Sequence, residues 1–350
     1  MGIMKKVKTK INAFDSKVRP IANGKWDYFI IATDMLFCRF VHKVPSDEYL
    51  KYNFHNYRHR YRKNFILQRH REKFINVNTR AFTRSKYVFY TYIPDLFQRE
   101  MILAPFCGED AFVQFLKKHQ KIVVKPDQGS LGKGLEVVKY VDDTAAKEFF
   151  AGITAERPFI CEEFIRQHPA LSRLNPASVN TIRAVSLLQN DEVEIVAAIL
   201  KTGMGDDNIT DNLSLGGVGA QIDVNTGIVC SFGKDFHFHT FTHHPYTNEP
   251  ILGLQIPHWE QAVALIKEAH KRIPQCMLYG WDIAITETGV DIVEANSRPG
   301  TRIMQVMDAV PKGKKILPLI KKDRLKDRRL SYTKEFMDRF AAIALGRGEN

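Results

Sequence analysis

The chain has 350 residues, 44% hydrophobic and 26% charged, which is enough apolar material for a sizeable core in one large unit or in two to three lobes. No apolar run reaches membrane-spanning length, since the best candidate, Tyr28 to Val41, is broken by Asp34 and Arg39. Five cysteines, Cys38, Cys107, Cys161, Cys230 and Cys276, stand singly and odd in number, which argues against a disulfide framework or a zinc knuckle and suits a reduced, cytosolic chain.

The net charge of +12 is unevenly placed. The basic start, M-G-I-M-K-K, has no cleavage site after an apolar core, so no signal peptide is expected, and Lys6 breaks the myristoylation pattern that Gly2 would begin. Residues 1 to about 85 read as mainly helical, with Tyr57, Tyr61, Ile66 and Phe74 at loosely helical spacing. Between Lys51 and Lys86, eleven Lys and Arg face one acid, Glu72, with Tyr52, Phe54, Tyr57, Tyr61 and Phe65 interleaved. Such a stretch suits an acidic polymer, a phospholipid surface or a solvated face, and no nucleic-acid motif accompanies it. The expected partner is an anionic sugar, polysaccharide or membrane rather than nucleic acid. A second basic run, Lys312 to Arg329, precedes the tail.

Lys86-Tyr-Val-Phe-Tyr opens a short apolar segment, and Gly108-Glu-Asp starts a helix through Phe112, Phe115 and Leu116. Lys121 to Lys125 is a buried strand stopped by Pro126. The loop Gln128-Gly-Ser-Leu-Gly-Lys-Gly134 follows, and Leu135 to Lys139 returns as a strand. Glycines let backbone N–H groups turn toward an anion, and a lysine at the strand end adds a point charge. The loop is not a Walker motif, having the wrong spacing and no Ser or Thr after the lysine; read by itself it is also consistent with a glycine hairpin. Asp142 or Asp143 caps the next helix, Thr144 to Phe150. Strands follow at Phe159 to Ile165, Thr181 to Leu188 and Val193 to Lys201, and an amphipathic helix runs from His258 to Ile273. Irregular alternation of strands and helices predicts an α+β fold.

Tyr279 to Thr301 reads as two strands joined at Thr288-Gly289. Trp281, Ile283 and Ile285 alternate with Asp282 and Ala284, and the hairpin brings Asp282 near Glu294, with Asn296 on the same face as Glu294. Two carboxylates and an amide oxygen at a strand end form a hard site suited to Mg²⁺, which fills its remaining positions with phosphate oxygens and water. A surface hairpin with solvated acids is the plainer alternative; the apolar neighbours and the Ser297-Arg298-Pro299-Gly300 turn favour metal. In His237-Phe-His239-Thr-Phe-Thr-His243-His244, two histidines project from one strand face at a spacing zinc accepts, but no acid or cysteine completes a shell.

Taken together, Lys125-Pro with its glycine loop, Glu162-Glu-Phe-Ile165 and Asp282…Glu294-x-Asn296 resemble the ATP-grasp superfamily, as in D-alanine–D-alanine ligases and glutamate ligases. Asn180-Thr-Ile-Arg183 and Glu294-Ala-Asn-Ser-Arg-Pro-Gly300 are similar to the sugar-transfer-associated subgroup, over residues 86 to 310. The resemblance implies an ATP-grasp fold of two α+β lobes gripping ATP: 86–165 with the phosphate loop and 166–320 with the metal site, after a basic helical region 1–85 and before a basic helical tail 321–350. It implies that Lys125 holds the α/β-phosphates, that Lys86 is the first nucleotide-binding lysine, and that Gly129, Ser130, Gly132, Lys133 and Gly134 fold over the triphosphate. Glu162 would accept from the adenine amino group, and the backbone of Glu163, Phe164 and Ile165 would read the adenine edge. Asp282, Glu294 and Asn296 would hold two Mg²⁺, with Mn²⁺ as a substitute. Arg183 and Arg298 would steady the transferring phosphoryl group, and Asn212, in Asn212-Leu-Ser-Leu-Gly-Gly217, would sit beside the γ-phosphate. Several relatives carry a ribose-binding acid after the hinge; Arg166-Gln-His-Pro169 lacks it, which leaves Lys201 or His168 as substitutes. The implied activity is ATP- and Mg-dependent joining of an amine to a carboxylate, one of them on a sugar, in polysaccharide synthesis. A sugar kinase and a non-catalytic ATP-binding module are the alternatives.

Overall fold

A computed structural model describes residues 2–56, 64–71, 85–129, 132–153, 158–205, 211–274, 276–307 and 310–323. The chain divides into two units: Met1–Arg71 with Thr301–Lys321, and Glu72–Gly300 with Lys322–Asn350. Most of the basic stretch from Lys51 to Lys86, including Tyr57, Tyr61 and Phe74, lies outside the described residues, as do Ser130 and most of the tail.

The first unit is helical: α1 (Gly2–Val18), α2 (Lys25–Val41), α3 (Ser46–Lys51) and the single turn α4 (Gln68–Arg71), with the later helices Ile303–Val306 and Gly313–Asp323. Ile31, Met35 and Cys38 recur along α2 at helical spacing, and all three are buried. Phe54 and Phe65 pack edge to face at 4.9 Å. The return segment is tied in by Gln305, whose buried amide accepts from the Ile66 N–H at 2.9 Å and donates back to the Ile66 carbonyl at 3.3 Å.

The second unit carries two antiparallel sheets. After α5 (Lys86–Tyr92), β1 (Met101–Ala104), β2 (Lys121–Pro126), β3 (Glu136–Lys139) and β4 (Phe159–Glu163) form a four-stranded sheet in the order β1-β4-β2-β3. Helix α6 (Glu109–His119) has acids in its first turn and Lys117, Lys118 and His119 in its last, as the helix dipole favours. It buries Phe112, Val113, Phe115 and Leu116. The Asp142 side chain caps α7 (Asp143–Gly152) by accepting from Ala145 N at 2.8 Å. Both helices pack with Ile122, Val124 and Cys161, which fixes the face of the sheet that is left for the site. Lys125 and Glu162 lie on that opposite face, in register with Ile160 and Val123.

A short turn, α8 (Pro169–Ser172), leads into the larger sheet: β5 (Thr181–Gln189), β6 (Glu192–Thr202), β7 (Val218–Ile222), β8 (Gly233–Lys234), β9 (Thr240–Phe241), β10 (Leu278–Ile285) and β11 (Val290–Asn296), ordered β11-β10-β5-β6-β7-β8-β9. Helix α9 (Trp259–Arg272) lays Trp259, Ala262, Ile266 and Ala269 into the core with Trp281, Ile283 and Ile292. Three polar groups are buried there and satisfy one another. The Trp281 N–H donates to Ser186 Oγ at 2.7 Å, and Ser186 contacts His270 Nδ1 at 2.6 Å. His270 Nε2 lies 3.0 Å from the Cys276 carbonyl, so it is this nitrogen that donates and Nδ1 that accepts from the serine.

Ser186→Ala leaves the indole N–H and the imidazole Nδ1 without their partner in a dry core. Urea unfolding should show a loss of about 2–3 kcal/mol. A change smaller than about 0.5 kcal/mol, the scale of an ordinary surface substitution, would contradict this account of the core.

Candidate functional site

The face of the small sheet opposite its helices is built by β2 and β4. Lys125 points away from the helices because Val124 points toward them, and its ammonium meets the buried Glu162 carboxylate at 2.7 Å. Beyond Pro126 the chain turns at Gly132 and Gly134, with φ of 66° and 74°, conformations that glycine adopts without penalty. Lys86, at the start of α5, ties down the base of this loop: its Nζ donates to the carbonyls of Pro126 at 3.2 Å and Asp127 at 3.1 Å. The Asp127 carboxylate in turn accepts from Tyr87 N at 2.8 Å. Burial pushes the Lys86 ammonium below its ordinary value, and neighbouring Lys125 adds to that, against the pull of Glu294. Lys133 is exposed, and Phe164, just past the end of β4, has the Lys121 ammonium 3.4 Å from its ring centroid. Glu163 and Ile165 are half-buried beside it.

On the large sheet, β10 and β11 pair with Gly280 opposite Asn296 and Asp282 opposite Glu294, but Ile283 opposite Ile292. Val293 is therefore an extra residue, a β-bulge. Strict alternation from Val290 and Ile292 would send Glu294 into the apolar core. The bulge resets the parity, so Ala295 enters the core instead and Glu294 and Asn296 share the face of Asp282. Arg99 holds the bulge. One guanidinium nitrogen donates to Asp291 Oδ2 and to the Ile292 carbonyl, both at 2.6 Å; another makes longer contacts of 3.4 Å to the Val293 carbonyl and to Glu162. Burial opposes the charge on Arg99, but Glu162 and Asp291 more than restore it. Gly280 leaves room for the turn that follows: a Cβ there would lie 2.7 Å from the Pro299 backbone.

Asp282 is gripped by two cations. Arg183, across the β5–β10 ladder, grips it with two bonds of 2.7 Å, and Lys201 reaches it at 3.1 Å. Burial alone would raise its pKa; Arg183 and Lys201 outweigh that and hold the carboxyl far below its ordinary 3.8. With the folded value depressed, the stabilisation is present above the ordinary pKa and is lost as pH falls through the folded one. Lys201 also meets Asp211 at 3.2 Å, and Asp211 accepts from Thr181 N at 2.9 Å and from the Thr181 hydroxyl. Lys201, one of the two residues suggested in place of the ribose-binding acid, is thus paired with both Asp211 and Asp282. His168, the other suggested substitute, caps α8 by accepting from Ala170 N. Asn212 serves as a turn cap, its side chain accepting from Ser214 N at 2.8 Å, and Gly217 has no room for a Cβ, which would lie 2.8 Å from the Thr202 carbonyl.

A small cleft brings the two sheets' groups together, lined by Lys86, Arg99, Glu162 and Glu294 with Phe89, Phe97 and Met101 among its apolar walls. Among the described residues the Glu294 carboxylate has no hydrogen-bond or ion-pair partner, and the Asn296 amide nitrogen is buried without one. No three His, Cys, Asp or Glu side chains among the described residues group as a metal site. Two carboxylates and an amide nevertheless fit Mg²⁺ that arrives with a polyphosphate, because that ion takes few protein ligands and the phosphates supply the rest. The nearby cations Arg183 and Lys201 would oppose a bare ion at Asp282 but welcome the phosphate charge. The histidine cluster is corrected in one respect. Asp235 is an acid at hand, bonded to His239 Nδ1 at 2.7 Å, and His237 sits in the turn between β8 and β9 rather than on a strand. His244 is buried, with Nε2 2.9 Å from the Gly203 carbonyl.

Arg99, Asp291 and Asp211 are the groups that sequence reasoning missed. Arg99 and Asp291 are single charges 192 residues apart, and Asp211 is joined to Lys201 and Thr181 only by the pairing of the strands that carry those two residues.

The chain belongs to the sugar-transfer associated ATP-grasp family, whose model matches residues 108–316. Similar solved structures include the ATP-grasp ligase PsnB complexed with minimal precursor, Mg and ADP, at 12% identity over 71% of this chain and 60% of that one, with a TM-score of 0.41. Others are D-alanine–D-alanine ligase from Bacillus anthracis, at 13% identity over 71% and 69% with a TM-score of 0.42, and N5-carboxyaminoimidazole synthase from Aspergillus clavatus, at 9% over 67% and 54% with a TM-score of 0.39. The chain thus spans 60% of the length of PsnB. No curated protein matches it.

Arg99→Lys keeps the charge but cannot reach four acceptors at once. With the bulge loosened, Glu294 is less well placed, and nucleotide affinity in the presence of Mg²⁺ should fall about tenfold, or about 1.4 kcal/mol. Unchanged affinity in the folded variant would show that the bulge stands without the arginine.

Proposed function

We propose that the protein is an ATP-dependent carboxylate–amine ligase that works through an acyl-phosphate, joining an amino acid or another amine to a carboxylate carried by a sugar, such as a uronic acid. The observation that carries this reading is the convergence of Lys86, Glu162 and Glu294 on one cleft, with Lys125 held against Glu162. It joins basic groups suited to phosphate with acids suited to a divalent ion.

In this reading Lys125 and Lys86 bind the phosphates, and Gly129, Gly132, Lys133 and Gly134 close over them. Glu162 orients Lys125 and Arg99, and the backbone of Glu163 to Ile165 reads the adenine edge. Asp282, Glu294 and Asn296 would hold Mg²⁺, which when bound neutralises charge on the phosphates as the γ-phosphoryl group moves. Arg183, released in part from Asp282, and Arg298 then face the transferring group and the acyl-phosphate, where preorganised positive charge stabilises the transition state. No side-chain nucleophile is required: the acceptor carboxylate attacks, ADP leaves, and the amine displaces phosphate. Polysaccharide synthesis in the cytoplasm is the setting that suits such an acceptor.

The test is a screen of uronic acids against amino acids, with the acceptor carboxylate labelled with ¹⁸O. Amide formation with one ¹⁸O passing into inorganic phosphate is expected. A phosphorylated sugar hydroxyl, or no ADP with any pair, would overturn the ligase assignment. In the same assay Lys125→Ala should weaken Mg·ATP binding by about 2–3 kcal/mol, because a charge-assisted contact to phosphate is lost.

A further inference from the structure

Helix α2 has two faces, and only one is used by the first unit. Ile31, Met35 and Cys38 are buried, and Asp34 is held inward by the Tyr49 hydroxyl at 2.6 Å. On the other side Trp26, Phe29, Leu36, Phe37, Phe40 and Val41 are all exposed, Trp26 by 76% and Phe40 by 66%. At 100° per residue these six positions fall within an arc of about 140° that runs the length of the helix. Thr33 is the one polar residue inside the arc, and its hydroxyl donates back to the Phe29 and Ile30 carbonyls, so it presents no unmet donor. Scattered apolar residues on a surface need no explanation, but a continuous aromatic stripe does.

Charge decides what covers it. Residues 1–71 hold 16 Lys and Arg against 5 Asp and Glu, a net of +11 out of the chain's +12. Lys25 and Arg39 are exposed and border one edge of the stripe. Asp15, by contrast, is paired with Arg19 at 2.9 Å, and Asp27 accepts from the Asn23 N–H at 2.9 Å. A second copy of this chain would bring the same positive field against itself, so self-association through α2 is opposed. The occupant has to be apolar in its interior and negative at its rim. No helix among the described residues is long and apolar enough to cross a membrane. A one-sided helix of 17 residues, aromatic on one face and bordered by cations, is instead suited to lie in the headgroup region of a bilayer.

We propose that α2 is an interfacial anchor that seats the protein on anionic lipid, with Trp26, Phe29, Phe37 and Phe40 entering the bilayer surface and Lys25 and Arg39 meeting the phosphates. This site is separate from the ligase cleft and does not depend on its chemistry.

The protein carries its own reporter, because of its three tryptophans Trp259 and Trp281 are buried and Trp26 is not. Full-length protein is mixed with vesicles of phosphatidylglycerol and phosphatidylcholine, or of phosphatidylcholine alone, some carrying brominated acyl chains. The expected result is a blue shift of Trp26 emission and quenching by brominated lipid, with binding to the anionic vesicles at least about tenfold stronger than to the neutral ones and weakened by salt. A Phe29→Ser, Phe37→Ser, Phe40→Ser variant keeps the reporter and the buried face, should retain its circular dichroism and nucleotide binding, and should lose vesicle binding by about tenfold or more. Lys25→Glu with Arg39→Glu should lose the anionic preference. Absence of binding to anionic vesicles overturns the proposal, as does binding that leaves Trp26 unquenched. So does sedimentation showing a dimer that buries Trp26, or capture of α2 by an acidic protein in place of lipid.

Discussion

One surplus residue in β11 decides which way the acids of this protein point. Were Val293 held in register rather than bulged, the pleat would carry Glu294 into the apolar core opposite Trp281, where an unpaired carboxylate is untenable. With the bulge, Glu294 and Asn296 share the face of Asp282, and Glu294 lines the cleft together with Lys86 and Glu162. The bulge exposes carbonyls that the ladder no longer satisfies, and the buried Arg99 supplies the donors, while its charge is met by Asp291 on one side and Glu162 on the other. Glu162 then holds Lys125. A chain of four charged groups therefore links the backbone irregularity in the large sheet to Lys125 in the small one. Removing one member of a buried charged set leaves its partners uncompensated, so the set stands or falls together.

The second feature of the site is its balance of sign. Asp282 is buried and shared between Arg183 and Lys201, and Lys201 is shared again with Asp211. Such a set is poorly suited to a bare divalent ion; in the proposed reading, the phosphate charge of a bound nucleotide would draw the arginine and the lysine away and leave the carboxylate to the ion. On that proposal affinity for metal and affinity for nucleotide would be linked, each ligand improving the site for the other.

Much of this was legible in the sequence, for physical reasons that differ from element to element. Phe112, Phe115 and Leu116 at helical spacing, and Asp142 before its helix, depend on local chemistry, and both helices are where their sequences place them. The alternation through Trp281, Ile283 and Ile285 marks β10, and the close approach of Asp282 to Glu294 follows from the hairpin. The bulge itself is not legible, because nothing about Val293 distinguishes it from a residue in register. Arg99, Asp291 and Asp211 escape notice for a related reason: a single charge shows its role only when the fold brings its partner to it. In α2 the same residues that fail as a membrane span, interrupted by Asp34 and Arg39, turn out to have their apolar members gathered on the outside. Periodicity shows that two faces exist but not which of them the rest of the unit will cover.

The central claim, that Asp282 and Glu294 hold a divalent ion only together with nucleotide, is tested most directly by electron paramagnetic resonance of Mn²⁺ titrated into the protein with and without a non-hydrolysable ATP analogue. The account predicts weak binding to the protein alone and binding tightened by at least about tenfold with the analogue, lost in a folded Glu294→Gln variant that still binds the analogue without metal. Equal Mn²⁺ binding by wild type and Glu294→Gln in the presence of the analogue would contradict it.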